Sequence, residues 1–191
     1  MVKQPLRLLR HVVAVGVVTL GAVLVAPSAA HATPFPESHL ADSAGHAYCY
    51  MDSFDDYPVH RSRVSWGMDR LDDQTDMHDI LESCARGTDI WFSRANLPAG
   101  TRGWTICQTW VGSNTCDSAN IGIDFDEINE GSWDIEDQQK TVLHEIGHSI
   151  GLGHHSPSAH DCAMYEGEIP GNDPRWRSFH SHDVAHINAQ Y

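Results

Sequence analysis

The chain has 191 residues, 41% of them hydrophobic, and its 26 acidic side chains outnumber 12 basic ones for a formal charge of −14. So large an acidic excess argues against nucleic acid as a partner, and the length allows one domain with a substantial core and little beyond it. All five cysteines lie beyond residue 48, a content that suits an oxidising compartment.

The first element in chain order is a secretory signal peptide over residues 1–32. Lys3, Arg7 and Arg10 precede an apolar run from Val12 to Val25, and Ala30 and Ala32 stand at the −3 and −1 positions of a cut after Ala32. The run is short of the roughly 20 apolar residues needed to span a bilayer, so the mature chain is expected to be secreted, extracellular and free of any membrane. Cleavage removes three basic residues and no acidic ones, leaving 9 basic against 26 acidic and a formal charge of −17.

Residues 33–58 carry Pro34, Pro36 and Pro58 and few apolar runs, which predicts an extended lead-in or short pro-segment. The folded domain is then expected over residues 59–191. Within it Arg63 to Met68 alternates like a strand. Thr75 to Arg86 reads as an amphipathic helix closed by Gly87, with Met77, Ile80, Leu81 and Cys84 on one face, so that Cys84 is expected in the core. Asp89 to Ser93, Trp104 to Trp110 and Asn120 to Phe125 read as strands. Cys107 and Cys116 bracket a turn-forming stretch and are the expected disulfide, while Cys162 would brace its loop if it found a partner. Asp124, Asp126, Glu127, Glu130 and Asp134 form an acidic cluster that suits structural Ca²⁺ or plain solubility, and it matches no EF-hand loop.

A helix is predicted from Asp134, the expected N-cap, with Glu136 and Asp137 at the positive end of its dipole and Val142, Leu143, Ile146 and Ile150 facing the core. It runs into His144-Glu-Ile-Gly-His-Ser-Ile-Gly-Leu-Gly-His154. At about 100° and 1.5 Å per residue, His144 and His148 project from one helix face, so two imidazoles can share one metal. Glu145 sits about 100° round from His144, placed to reach a water on that metal as a base. Gly151 can take the positive φ that ends a helix, which lets the chain return His154 as third ligand. Three histidines leave a zinc position open, the catalytic arrangement and not the closed structural one. Composition alone would produce the full pattern in roughly one shuffled chain in four thousand.

These residues resemble the metzincin zinc metallopeptidases, and among them the matrixins, in their secreted bacterial form. A second mark of the resemblance is Met164, in Cys162-Ala-Met-Tyr165, where the family has its methionine turn beneath the metal. A third is Ser181 to Tyr191, with Val184, Ile187 and Tyr191 at helical spacing, similar to the family's closing helix. The likeness covers residues 134–191 and is only topological before them. It implies an α+β fold: a twisted mixed sheet, an active-site helix, a Met-turn and a C-terminal helix. It also implies a monomeric secreted zinc-dependent endopeptidase that binds an extended peptide or protein substrate along a sheet edge. His144, His148 and His154 would hold catalytic Zn²⁺, with Glu145 as the catalytic base.

Some residues depart from that pattern or leave alternatives open. His155 follows the third ligand directly, so a swap of roles stays open. His160, His180, His182 and His186 read as surface histidines, with a second metal site as the alternative. Cys49 lacks the flanking Pro, Arg and Gly residues of a cysteine switch, so latency of that kind is not expected. Two other functions fit the motif: a catalytically silent secreted zinc-binding protein, and a zinc hydrolase acting on something other than peptides.

Overall fold

A computed structural model of the chain describes residues 40–129, 132–155 and 161–191. The expected signal peptide, Glu130 and His160 lie outside them. In chain order the strands are β1 (Leu40–Ala41), β2 (Gly45–Tyr50), β3 (His78–Leu81), β4 (Ile90–Arg94), β5 (Gly103–Val111) and β6 (Thr115–Ile123). The α-helices are α1 (Pro58–Gln74), α2 (Phe125–Ile128), α3 (Asp134–Ser149) and α4 (Ser181–Gln190). Among the described residues this makes a mixed α/β arrangement of six strands and four helices, consistent with an α+β class at that general level.

The sheet is mostly parallel. β2 lies between β3 and β4, β4 runs parallel to β6, and only β5 pairs antiparallel, with β6. Parallel neighbours need crossover connections, and α1 supplies the one from β2 to β3. The core fills the space between sheet and helices. Val64, Met68 and Leu71 of α1, Val142, Leu143 and Ile146 of α3, and Ile90, Phe92, Ile121 and Ile123 of the sheet are all fully buried. Each such side chain contributes about 1.5–3 kcal/mol by burial. α1 and α3 approach closely at Gly67, where an added Cβ would lie 2.7 Å from Val142 Cγ1 and 2.9 Å from Ile146 Cδ1.

Three stretches differ from the reading of the sequence. Residues 33–58, expected as a lead-in, supply β1 and β2 from residue 40 onward. The expected strand at 63–68 is instead part of α1. Its alternation concealed Val64, Gly67, Met68 and Leu71, which are buried at the i, i+3, i+4, i+7 spacing of a helix that Pro58 starts at its first turn. The expected helix at 75–86 instead holds β3, a sheet edge on which Ile80 and Leu81 are exposed. Cys84 is not a core residue but bonds Cys49 of β2. The other disulfide, Cys107 with Cys116, joins β5 to β6 as expected.

His46 of β2 is buried against α3, with Nε2 3.1 Å from Ser149 Oγ and no partner for Nδ1 among the described residues. Burial lowers its pKa to about 4 from 6.5. The folded chain therefore binds fewer protons here than the unfolded chain. Stability from this residue is present above pH 6.5 and is lost as pH falls to about 4, roughly 3 kcal/mol in all. Urea unfolding of a His46→Gln variant should show a flatter pH dependence across that window. An unchanged slope would discount His46 as the acid-sensitive group.

Candidate metal centre

Helix α3 carries Asp134, Glu136 and Asp137 in its first turn, at the positive end of its dipole. Trp133, one residue earlier than expected, is its N-cap. The helix stops after Ser149, and Gly151 takes φ +94°, the left-handed turn expected of it. Its N–H bonds His148 O at 3.0 Å, and Leu152 N–H returns to Gly147 O at 2.9 Å. The chain then doubles back over the helix and delivers His154.

That turn gathers three imidazoles. His148 Nε2 lies 3.0 Å from His144 Nε2 and 3.0 Å from His154 Nε2. The opposite nitrogens decide what the convergence means. His144 Nδ1 donates to Ala163 O and His148 Nδ1 to Leu152 O, both at 2.8 Å. A carbonyl can only accept, so in each neutral ring the proton sits on Nδ1 and Nε2 offers a lone pair. Burial, and then the charges of Lys140 and His148, hold the His144 pKa well below its ordinary value. Neutral imidazoles with lone pairs aimed at one point fit a divalent cation of the zinc type, and the same carbonyls fix the rings for it.

Glu145 lies beside this cluster. It is 6% exposed, and Thr105 Oγ1 on β5 stands 2.8 Å from its Oε2 and 2.9 Å from its backbone carbonyl. Burial raises its pKa to about 7, against the opposing effects of the Thr105 hydroxyl and the Lys140 charge. Gly103, also on β5, lets the carboxylate lie flat against the strand, because a Cβ there would fall 2.7 Å from Glu145 Oε1. Neither Thr105 nor Gly103 was singled out from the sequence. The only signal was that Thr105 falls in an expected strand and Gly103 directly precedes it.

Beneath the histidines, Met164 is fully buried and packs against Gly147, where any side chain would collide with its Sδ. The hydrogen bond from His155 N–H to Met164 O, 2.9 Å, ties this loop to the one after His154. The His155 side chain is directed elsewhere. Its Nε2 is 2.8 Å from Asp183 Oδ1 on α4 and its Nδ1 is 3.1 Å from Cys162 Sγ. Asp183, then Cys162, raise the His155 pKa to about 10, so it is an imidazolium between two acceptors. Cys162 thus braces its loop through a histidine and not through a disulfide.

The remaining expected residues have other tasks. His180 caps α4, its side chain accepting from backbone N–H groups while Asp183 accepts from His180 N–H. His182 stacks edge-on with His186 at 5.0 Å, and neither is fully exposed. Within the acidic cluster, Asp124 accepts from Leu97, Asp126 and Glu127 N–H, Glu127 accepts from Gly100 N–H, and Asp126 pairs with Arg94. Those carboxylates cap and clamp the loop before β5 and α2.

A cavity of about 360 Å³ opens beside the cluster, walled by Arg102, Lys140, His144, Glu145, His154 and Glu166 among others. Arg102 there is held by Asp137 and Glu168. No family model matches the chain, and no curated protein matches it.

Proposed function

We propose that the chain is a secreted zinc-dependent endopeptidase of the metzincin kind, matrixin-like in its motif. The observation that carries this reading is the convergence of the Nε2 atoms of His144, His148 and His154, the first two with lone pairs fixed by Nδ1 donation, beside the buried carboxylate of Glu145. A silent zinc-binding protein needs the three ligands but has no use for Glu145, whose desolvation is costly.

When bound, zinc supplies Lewis acidity that makes water a nucleophile near neutral pH and polarises a peptide carbonyl. Glu145 takes the proton of the attacking water and passes it to the leaving amine, base first and acid second. Burial raises its pKa in the metal-free chain, which suits a group that must both take and return a proton. Thr105 Oγ1 holds Oε2 in place between the two transfers. β5 pairs only with β6 among the described residues, so its other edge is open beside Glu145, and an extended peptide can add main-chain hydrogen bonds there.

Turnover of casein by the mature chain, with and without a zinc chelator, tests the reading. Cleavage abolished by chelator and restored by zinc is the expected result. One zinc bound per chain with no cleavage of casein or of a random peptide mixture would reject it.

A further inference from the structure

The mechanism above uses His144, Glu145 and His154 but has no task for Lys140, which lines the same cavity. Lys140 stands one helical turn before His144, about 6 Å along the axis. It is 3% exposed, and its Nζ donates to Gly167 O at 2.8 Å. An ammonium has three donors, and no carboxylate among the described residues forms an ion pair with this one. Its neighbour Arg102 is the contrast, since Asp137 and Glu168 both pair with it. A buried cation with no carboxylate in contact is costly, and burial accordingly pulls the Lys140 pKa down to about 8, against the attraction of Asp137 and Glu145. An anion entering the cavity would remove that cost.

We propose that Lys140 is a specificity-determining residue and that the cavity takes a carboxylate of the substrate, either an acidic side chain or a free C-terminus, onto its Nζ. The proposal rests on the peptidase reading of this site and names its preferred substrates. A large apolar side chain in the same space would bury the ammonium further without satisfying its donors, at a cost in binding. The chain's overall negative charge does not reverse the preference. Exposed charges act weakly beyond about 8 Å at physiological salt, and Glu166, the exposed acid on the cavity wall, has a side chain 75% open to solvent.

Binding to the chelator-treated mature chain, in which nothing is cleaved, gives the test. The probes are amidated alanine-rich hexapeptides in which one glutamate is walked through every position, each beside its glutamine counterpart, together with a glutamine peptide bearing a free C-terminus. At least one carboxylate peptide should bind roughly tenfold tighter than its uncharged counterpart, and the register shows whether side chain or C-terminus is read. Lys140→Arg should keep the preference and Lys140→Met should abolish it. Equal binding of all pairs by the parent chain would overturn the proposal without any variant, and so would a preference that survives in folded Lys140→Met. Casein cleaved without a carboxylate preference would remove the role of Lys140 alone. The preference without any peptide cleavage would support the carboxylate pocket and reject the peptidase.

Discussion

Glu145→Gln should load zinc as the parent chain does and lose roughly 10²- to 10⁴-fold in turnover. The amide keeps the shape of the side chain and still accepts from Thr105 Oγ1, so Gly103 and β5 stay where they are. It cannot take a proton. The parent's pH profile should carry the other half of the signature. A base works only when ionised, and burial holds Glu145 up to about 7 in the metal-free chain. Activity should therefore rise with pH along a limb at or below that value, since a dication nearby favours the carboxylate. The residual activity of the variant should lack this limb. Casein assays on protein of measured zinc content decide the matter, and full activity in zinc-loaded Glu145→Gln would end the assignment of the base.

His148→Ala should have the larger effect on the metal. His148 Nε2 is the one nitrogen at 3.0 Å from both of the others, so its removal leaves His144 and His154 without the member that completes the set. Loss of a group that merely orients a ligand typically weakens metal binding 10- to 100-fold. Loss of the ligand itself should cost more than about 100-fold, and activity with it. Chelator competition would measure the affinity. The fold should survive, because His148 is only half-buried and the core of α3 is built from Val142, Leu143 and Ile146. Unchanged zinc stoichiometry and affinity in the folded variant would refute the role of His148.

The parts of this molecule that were legible in its sequence are those whose cause is local. α3, the stop at Gly151 and the return to His154 are written into 21 consecutive residues, because helical spacing places the first two histidines and a glycine makes the turn. The Cys107 to Cys116 bridge was visible for the same reason, as it closes a short hairpin. The order of the sheet was not. β2 reads Gly-His-Ala-Tyr-Cys-Tyr, with no clean alternation, because a parallel strand is covered on both faces and its pattern carries no polar side. In α1, chance alternation over six residues outweighed the longer helical spacing around it. β3 was misread because Met77, Ile80, Leu81 and Cys84 mimic a helix face, whereas pairing with β2 holds His78 to Leu81 extended and a disulfide ties Cys84 to Cys49.

At the site the division is similar. The proposed ligands and base stand in one motif, but the groups that hold them and the adjoining His155 come from elsewhere: Thr105 and Gly103 from β5, Ala163 O from the loop before Met164, Asp183 from α4. No spacing rule relates Thr105 to Glu145 or Asp183 to His155. Lys140 was in plain sight, one turn ahead of His144, yet no spacing rule brings it to the carbonyl of Gly167 or shows that it is buried.

The hydroxyl of Tyr191 joins three distant parts of the chain: it accepts from Ala41 N–H at 2.8 Å and donates to Ile150 O at 3.1 Å. Opening of α4 therefore also releases the Ala41 N–H, while β1 stays paired with β6, and the carbonyl beside Gly151, where the chain turns back with His154. Fraying at this end is not a local event. Amide hydrogen exchange should register it at Ala41, 150 residues away in sequence, in step with the amides of α4. The last residue of the chain thus holds both β1 and the turn that precedes His154.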